Sequence, residues 1–222
     1  MAQVNMQQVK ELRDRTQAGL NDCRAALMES DGDMEKAVEI ILKKGLAKSA
    51  KRAGAVASEG EVAVQVSADK KSGVICEVNI QTDFAARNPE FKAFVAKVVE
   101  LAKTAPAGAD LGALPFPGGT GTLEDNRSAL VGKLGENITV RRWQRLEAEG
   151  TGFVHAYVHM GGKIGVLVNV QLGDAAAAAK PELLKLVDDV AMQAAAMSPL
   201  FLSPEEVTAE AKASQKIGRA HV

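Results

Sequence analysis

The chain has 222 residues, enough for one large or two small domains, and with 46% hydrophobic against 25% charged residues it can bury a core. Its 27 basic and 28 acidic residues leave a net charge near −1, which excludes a global basic field drawing it onto nucleic acid or an anionic membrane. Aromatics are only 4%, so the core is built from small aliphatics, and Cys23 and Cys76 match no zinc or redox spacing.

Both cysteines fall in apolar patterns, as buried free thiols in a reducing compartment do. The start, Met1-Ala2-Gln3-Val4-Asn5, has neither a charged nor an apolar leader region, and no apolar run reaches the length of a membrane span. The expectation is a cytoplasmic protein with no membrane partner.

In chain order, a helix is expected from Met6 to Thr16, with Asn5 and Gln8 at capping-box spacing and Met6, Val9 and Leu12 as its apolar stripe. A second begins near Leu20, with Leu20, Cys23 and Leu27 on one face. A third is capped by Asp33, carries Met34, Ala37, Val38, Ile41 and Leu42, and is stopped by Gly45. Three amphipathic helices this short must bury their stripes against one another, which predicts a three-helix bundle over 1–45. Residues 46–59, rich in Ala, Lys and Gly, read as a solvated basic connector; no aromatic is interleaved for stacking on nucleic acid.

The period then changes to two. Val62, Val64 and Val66 mark a half-buried strand, and Val74 to Ile80 a more apolar one. A loop from Gln81 to Asn88 leads to a helix opened by Asn88-Pro89, with Phe91, Phe94, Val95, Val98 and Leu101 as its buried stripe. Residues 105–121 hold much of the Pro and Gly and read as a long surface loop. Thr122 caps a helix to about Leu134; strands follow from Ile138 toward Leu146, Phe153 to Val158 and Ile164 to Gln171, and a helix runs from Pro181 to about Met197. Val78-Asn79-Ile80-Gln81 recurs as Val168-Asn169-Val170-Gln171, each copy ending a strand and preceding a long helix, so the core is expected to hold two related α+β subdomains.

No catalytic constellation emerges. Gly162-Lys163 and Gly132-Lys133 lack the remainder of a phosphate-binding loop. His155 and His159 lie four apart on an expected strand, so they share no face by helical spacing, and no acidic pair supports a metal site there. No nucleophile and base can be paired by spacing. The expectation is a protein without catalytic residues, metal or cofactor. The informative segment is Gln81-Thr82-Asp83-Phe84-Ala85-Ala86-Arg87-Asn88. Phe84 falls outside the stripe that begins at Phe91. An aromatic so placed is more often tucked under its loop; the alternative is an exposed wedge, with Asp83 capping the next turn or offering a charge to a partner.

Several segments resemble the bacterial-type elongation factor Ts family, in family order from residue 4 to about 207. They are Val9 to Thr16, Ala18-Gly19, Asp22 to Leu27 and Asp31-Gly32-Asp33 in the bundle. In the core they are Glu77-Val78-Asn79, Gln81-Thr82-Asp83-Phe84, Gly135-Glu136-Asn137-Ile138 with Arg141-Arg142, His159-Met160-Gly161-Gly162, and Ile164 to Val168. The resemblance implies an α+β fold: an N-terminal ubiquitin-associated-like three-helix bundle, then a core of two related α+β subdomains with antiparallel sheet. It implies a guanine-nucleotide exchange factor for elongation factor Tu, met GDP-bound and nucleotide-free, with no enzyme activity and no direct nucleic-acid partner. The contact positions it implies are Arg13, Leu20, Asn21, Asp83, Phe84, Leu134, Gly135, Asn137 and His159. The family often has methionines where Leu20 and Asn21 stand, and Leu134 replaces a commoner isoleucine. Thr82, Asp83, Phe84 and Ala85 would dislodge the partner's magnesium.

The family usually continues past the equivalent of Ser203-Pro204-Glu205-Glu206-Val207 with a helical hairpin and a segment closing the second subdomain. Ile217 to Val222 instead reads as one frame of a common sequencing adapter. The expected organisation is therefore a docking bundle (1–45), a connector (46–59), a first subdomain (60–146), an incomplete second (147–207) and a tail (208–222), foreign from about residue 216. A homodimer stays open. So do two other readings: a helical-bundle adaptor without exchange activity, and an RNA-associated protein using Lys43 to Arg52.

Overall fold

A computed structural model of the chain describes residues 4–16 and 18–213. The expected foreign tail from about residue 216 lies outside the described residues.

Helices α1 (Met6–Thr16), α2 (Leu20–Glu29) and α3 (Met34–Arg52) form the bundle. The Asn5 and Gln8 side chains cap each other's backbone amides at 2.8 and 3.2 Å, and Asp33 accepts from the Lys36 amide at the start of α3. Val9, Leu12, Cys23, Ala26, Leu27, Ala37 and Ile41 close the bundle core. Met6, expected in that core, is 68% exposed, and Leu20 is 44% exposed. Both sit at the first residue of their helix, where the stripe has already turned away from the bundle axis.

Gly45 does not stop α3. The helix runs on to Arg52, so the first part of the expected connector is helical. Gly45 is buried because α3 crosses α6 (Leu123–Leu134) there. A Cβ on Gly132 would lie 3.2 Å from the Gly45 Cα, and Ser49 and Ser128 are buried along the same seam. The small residues let the two helices approach closely and seat the bundle on the core.

The core is α+β, as expected. Strands β1 (Glu59–Val66), β2 (Ser72–Ile80) and β3 (Ile138–Glu147) form an antiparallel sheet in that order. Val74, Cys76, Val78 and Ile80 alternate onto one face and meet Phe91, Phe94, Val95, Val98 and Ala102 of α5 (Pro89–Ala102). The Pro/Gly-rich segment 105–121 is more than a surface loop. Ala105 and Leu111 are buried, Phe116 stacks on Phe94 at 6.3 Å, and the Ala109 carbonyl accepts from the Trp143 indole at 3.1 Å. Three of the chain's few aromatics, Phe94, Phe116 and Trp143, pin this segment to the core.

A second antiparallel pair, β4 (Phe153–His159) and β5 (Ile164–Val170), carries α7 (Pro181–Met197) and packs on the other face of the first sheet. A Cβ on Gly165 would lie 2.7 Å from Val62 Cγ1 and 2.9 Å from Val64 Cγ2, which is why glycine stands at this contact. The repeated tetrapeptides occupy equivalent places. Asn79 and Ile80 pair with Gly60 and Glu59; Asn169 and Val170 pair with Val154 and Phe153. Each asparagine amide donates to a backbone carbonyl, of Glu59 and Glu147 respectively. Among the described residues no helix is long and apolar enough to cross a membrane.

Candidate partner-binding site

The segment expected as a loop after β2 contains one helical turn, α4 (Asp83–Ala86). Thr82 caps it, its hydroxyl accepting from the Ala85 amide at 3.2 Å. Asn88 caps α5 two residues after the turn ends, and Pro89 starts that helix. Ala86 is buried and Ala85 packs on the core, so the turn sits on the sheet by its small residues. Phe84 is thereby directed outward and is 83% exposed. Of the two readings open from sequence, the tucked aromatic is overturned. Asp83 pairs with Arg87 at 3.0 Å on the same exposed turn.

The turn is laced to the loop between α6 and β3. Gly135 ends α6 in the left-handed conformation (φ 73°), which redirects the chain into β3. The two Glu136 carboxylate oxygens accept from the Thr82 amide at 3.0 Å and its hydroxyl at 2.7 Å. In return the Gln81 side chain accepts from the Asn137 amide at 2.7 Å. The Asn137 side chain, only 5% of whose residue surface is exposed, donates to the Ala55 carbonyl at 2.8 Å. It faces inward and holds the connector after α3. Leu134 is half-buried against the core.

The turn after β4 lies at the same end of the sheet. The Val62 amide donates to the Gly162 carbonyl at 2.6 Å, and Lys163 pairs with Glu59 at 2.5 Å, beside the end of β2. His159 is exposed there and shares a hydrogen bond of 2.9 Å with the Tyr157 hydroxyl. Strand alternation nonetheless puts His155, Tyr157 and His159 on one face of β4. His155 bonds instead to Asp188 of α7 at 3.1 Å. Among the described residues no group of three or more His, Cys, Asp or Glu could hold a metal ion.

Arg13, Leu20 and Asn21 are exposed on the bundle. Gly19 and Asp22, which flank Leu20 and Asn21, line one small cavity with Gly132 and Lys133, which precede Leu134. The structure thus gathers the Phe84 turn, Leu134, Gly135, Asn137 and His159 at one end of the core, and borders it with the start of α2. Glu136 has no role that the sequence alone reveals, because its pairing with Thr82 joins residues far apart in the chain and leaves no local signal.

Electrostatics along β3 follow from a β-bulge opposite Glu77/Val78, where the pairing passes from Arg142 to Val140 and leaves Arg141 as the extra residue. Arg141 and Arg142 both reach the Glu77 carboxylate, at 2.8 and 2.6 Å. Burial pushes this carboxyl up, but the hydrogen bonds from Arg142 and Arg141 outweigh it and hold Glu77 below its ordinary range.

The family model described as Elongation factor TS matches residues 81–220. Proteins named elongation factor Ts are similar over nearly the whole chain. That of a Nitratiruptor species is 46% identical over 214 residues, covering 96% of this chain and 69% of its own length. That of Methylobacillus flagellatus is 48% identical over 212 residues (95% and 68%), and that of Clostridium perfringens 44% over 215 (96% and 69%). The chain belongs to the elongation factor Ts family. Membership places it among the translation elongation factors. The family match begins at Gln81, which opens the segment carrying the Phe84 turn, and takes in the whole α6–β3 loop.

Proposed function

We propose that this chain is a guanine-nucleotide exchange factor for elongation factor Tu, acting in the cytoplasm, and a protein-binding protein rather than an enzyme. The observation that carries the proposal is Phe84: a large aromatic, 83% exposed, on a turn capped at its start and packed on a sheet by its alanines. A side chain kept in water on so constrained a platform is explained by a partner that buries it. Burying a phenylalanine stabilises a complex by about 1.5–3 kcal/mol, and held rigid it loses little entropy on docking.

In this reading Arg13, Leu20 and Asn21 on the bundle hold the partner's nucleotide-binding domain. Thr82, Asp83, Phe84 and Ala85 press beside its magnesium and phosphate-binding loop, with Leu134, Gly135 and His159 alongside. Asn137 supports the contact through the loop it holds, since its own side chain faces inward. The α3–α6 crossing makes bundle and core one lever. Because binding free energies are reciprocal, a factor that prefers the nucleotide-free partner weakens GDP by the factor by which GDP weakens it. It speeds release without moving the final equilibrium, which requires no acid, base or metal of its own.

The test is release of a fluorescent GDP from purified elongation factor Tu, with and without the chain and with Phe84→Ala. The expected outcome is stimulation by the wild-type chain that falls by at least about 30-fold in the variant, with an unchanged melting temperature. A folded chain that leaves the release rate unchanged overturns the proposal, and so does a Phe84→Ala chain as active as the wild type.

A further inference from the structure

We propose that Glu136 is a positioning residue: its carboxylate sets the attitude of the Phe84 turn and through it the power of the exchange surface. The effect on exchange rests on the function proposed above; the positioning itself rests on geometry alone.

The Thr82 hydroxyl has two partners. It accepts from the Ala85 amide at 3.2 Å, which caps α4, and donates to Glu136 Oε1 at 2.7 Å. A hydroxyl has one proton, and an ionised carboxylate only accepts. Glu136 therefore fixes the hydroxyl proton toward itself and leaves a lone pair facing Ala85. Its other oxygen accepts from the Thr82 amide at 3.0 Å, a donor that lies past Ile80, the last β2 residue paired with β3. One side chain thus holds both the cap and the backbone of the residue that starts the turn.

The base of Glu136 is itself fixed. Gly135 before it closes α6, the Asn137 amide after it donates to Gln81, and the Asn137 side chain reaches Ala55. The turn's direction is thereby referred to α6, β3 and the connector together. A four-residue helix has too few internal hydrogen bonds to hold a direction without such outside bonds. Phe84, whose side chain is mostly in water, contributes almost no packing to hold itself.

The first measurement is amide hydrogen exchange in the free chain. Glu136→Ala should raise exchange at Thr82, Ala85 and Ala86 by about tenfold or more, while the α5 amides change less and the melting temperature falls by only about 3–6 °C. Glu136→Gln, which keeps one acceptor, should fall between. The second is stimulated GDP release, where Glu136→Ala should lose about tenfold and Glu136→Gln less. Unchanged protection at the turn overturns the proposal whatever the release rate does. Loss of protection throughout the chain also overturns it, because that marks a general structural role. A released turn with an undiminished release rate overturns the link to exchange. If the wild-type chain does not stimulate release, the exchange reading fails, and the protection data still decide whether Glu136 positions the turn.

Discussion

Gly45 of α3 and Gly132 of α6 meet face to face, with little room for a side chain on Gly132: its Cβ would stand 3.2 Å from the Gly45 Cα. The relation is asymmetric. A Cβ on Gly45 would meet Ala129 Cα and the Ser128 carbonyl at 3.6 Å, ordinary contact distances. Gly45→Ala should therefore gain up to about 1 kcal/mol from helix propensity. Gly132→Leu should cost about 1–3 kcal/mol by overpacking and raise protease sensitivity in residues 53–58, where the bundle joins the core. Urea unfolding and limited proteolysis of both variants check this. A neutral Gly132→Leu would mean that the two helices slide apart freely.

The same crossing shows what the sequence conceals. Local rules read Gly45 as a stop, because glycine inside a helix is unfavourable; its reason for being there is Gly132, which no local window contains. Elements governed by nearby residues were legible: the Asn5–Gln8 box, the alternation of β2, Pro89 and Pro181 at helix starts, and the repeated Asn79 and Asn169. What depended on distant pairing was not. Ala105, Leu111 and Phe116 look like loop until Phe94 and Trp143 are beside them. Phe84 is an aromatic that local statistics would bury, and only the seating of Ala85 and Ala86 on the sheet turns it outward. Family motifs supplied the candidate site; they could not show that Asn137 faces inward or that Glu136 holds Thr82.

Glu77 provides a pH test. Its carboxyl sits below the ordinary value of 4.5 because the two arginine hydrogen bonds outweigh burial. A group whose pKa is lower folded than unfolded binds its proton less readily in the folded state. Its stabilisation is present above about 4.5 and is lost as pH falls through the folded value. Glu77→Gln should cost about 1.5–3 kcal/mol at neutral pH and flatten the fall in stability below pH 4.5. Unfolding free energies of both proteins between neutral and acidic pH measure the difference, and parallel curves would reject the assignment.

Gly165 governs the distance between the sheets. A Cβ there would meet Val62, Val64 and Ile75 at 2.7, 2.9 and 3.1 Å, and branched Val side chains cannot turn aside cheaply. Gly165→Ala should cost about 1–3 kcal/mol and lift the β4–β5 pair. Because the Val62 amide bonds to the Gly162 carbonyl, the His159 turn should lose amide protection with it. Chemical unfolding and hydrogen exchange at Val62 test this; a stable variant with Val62 still protected would show that the sheets have slack.

The two thiols report on the two parts of the chain separately. Burial pushes the Cys76 thiol up to about 12, and it lies in the strand at the centre of the larger core. At pH 8 only on the order of one Cys76 in ten thousand would be thiolate, so it should react only when the core opens. Cys23 is also raised by burial, partly offset by its hydrogen bond with Thr16, but its surroundings are the smaller bundle core. Fewer buried contacts make local opening cheaper there. In native buffer Cys23 should label several-fold faster than Cys76, whose rate should follow global unfolding as urea is added. Equal rates would show that bundle and core open as one unit, the α3–α6 crossing being strong enough to couple them.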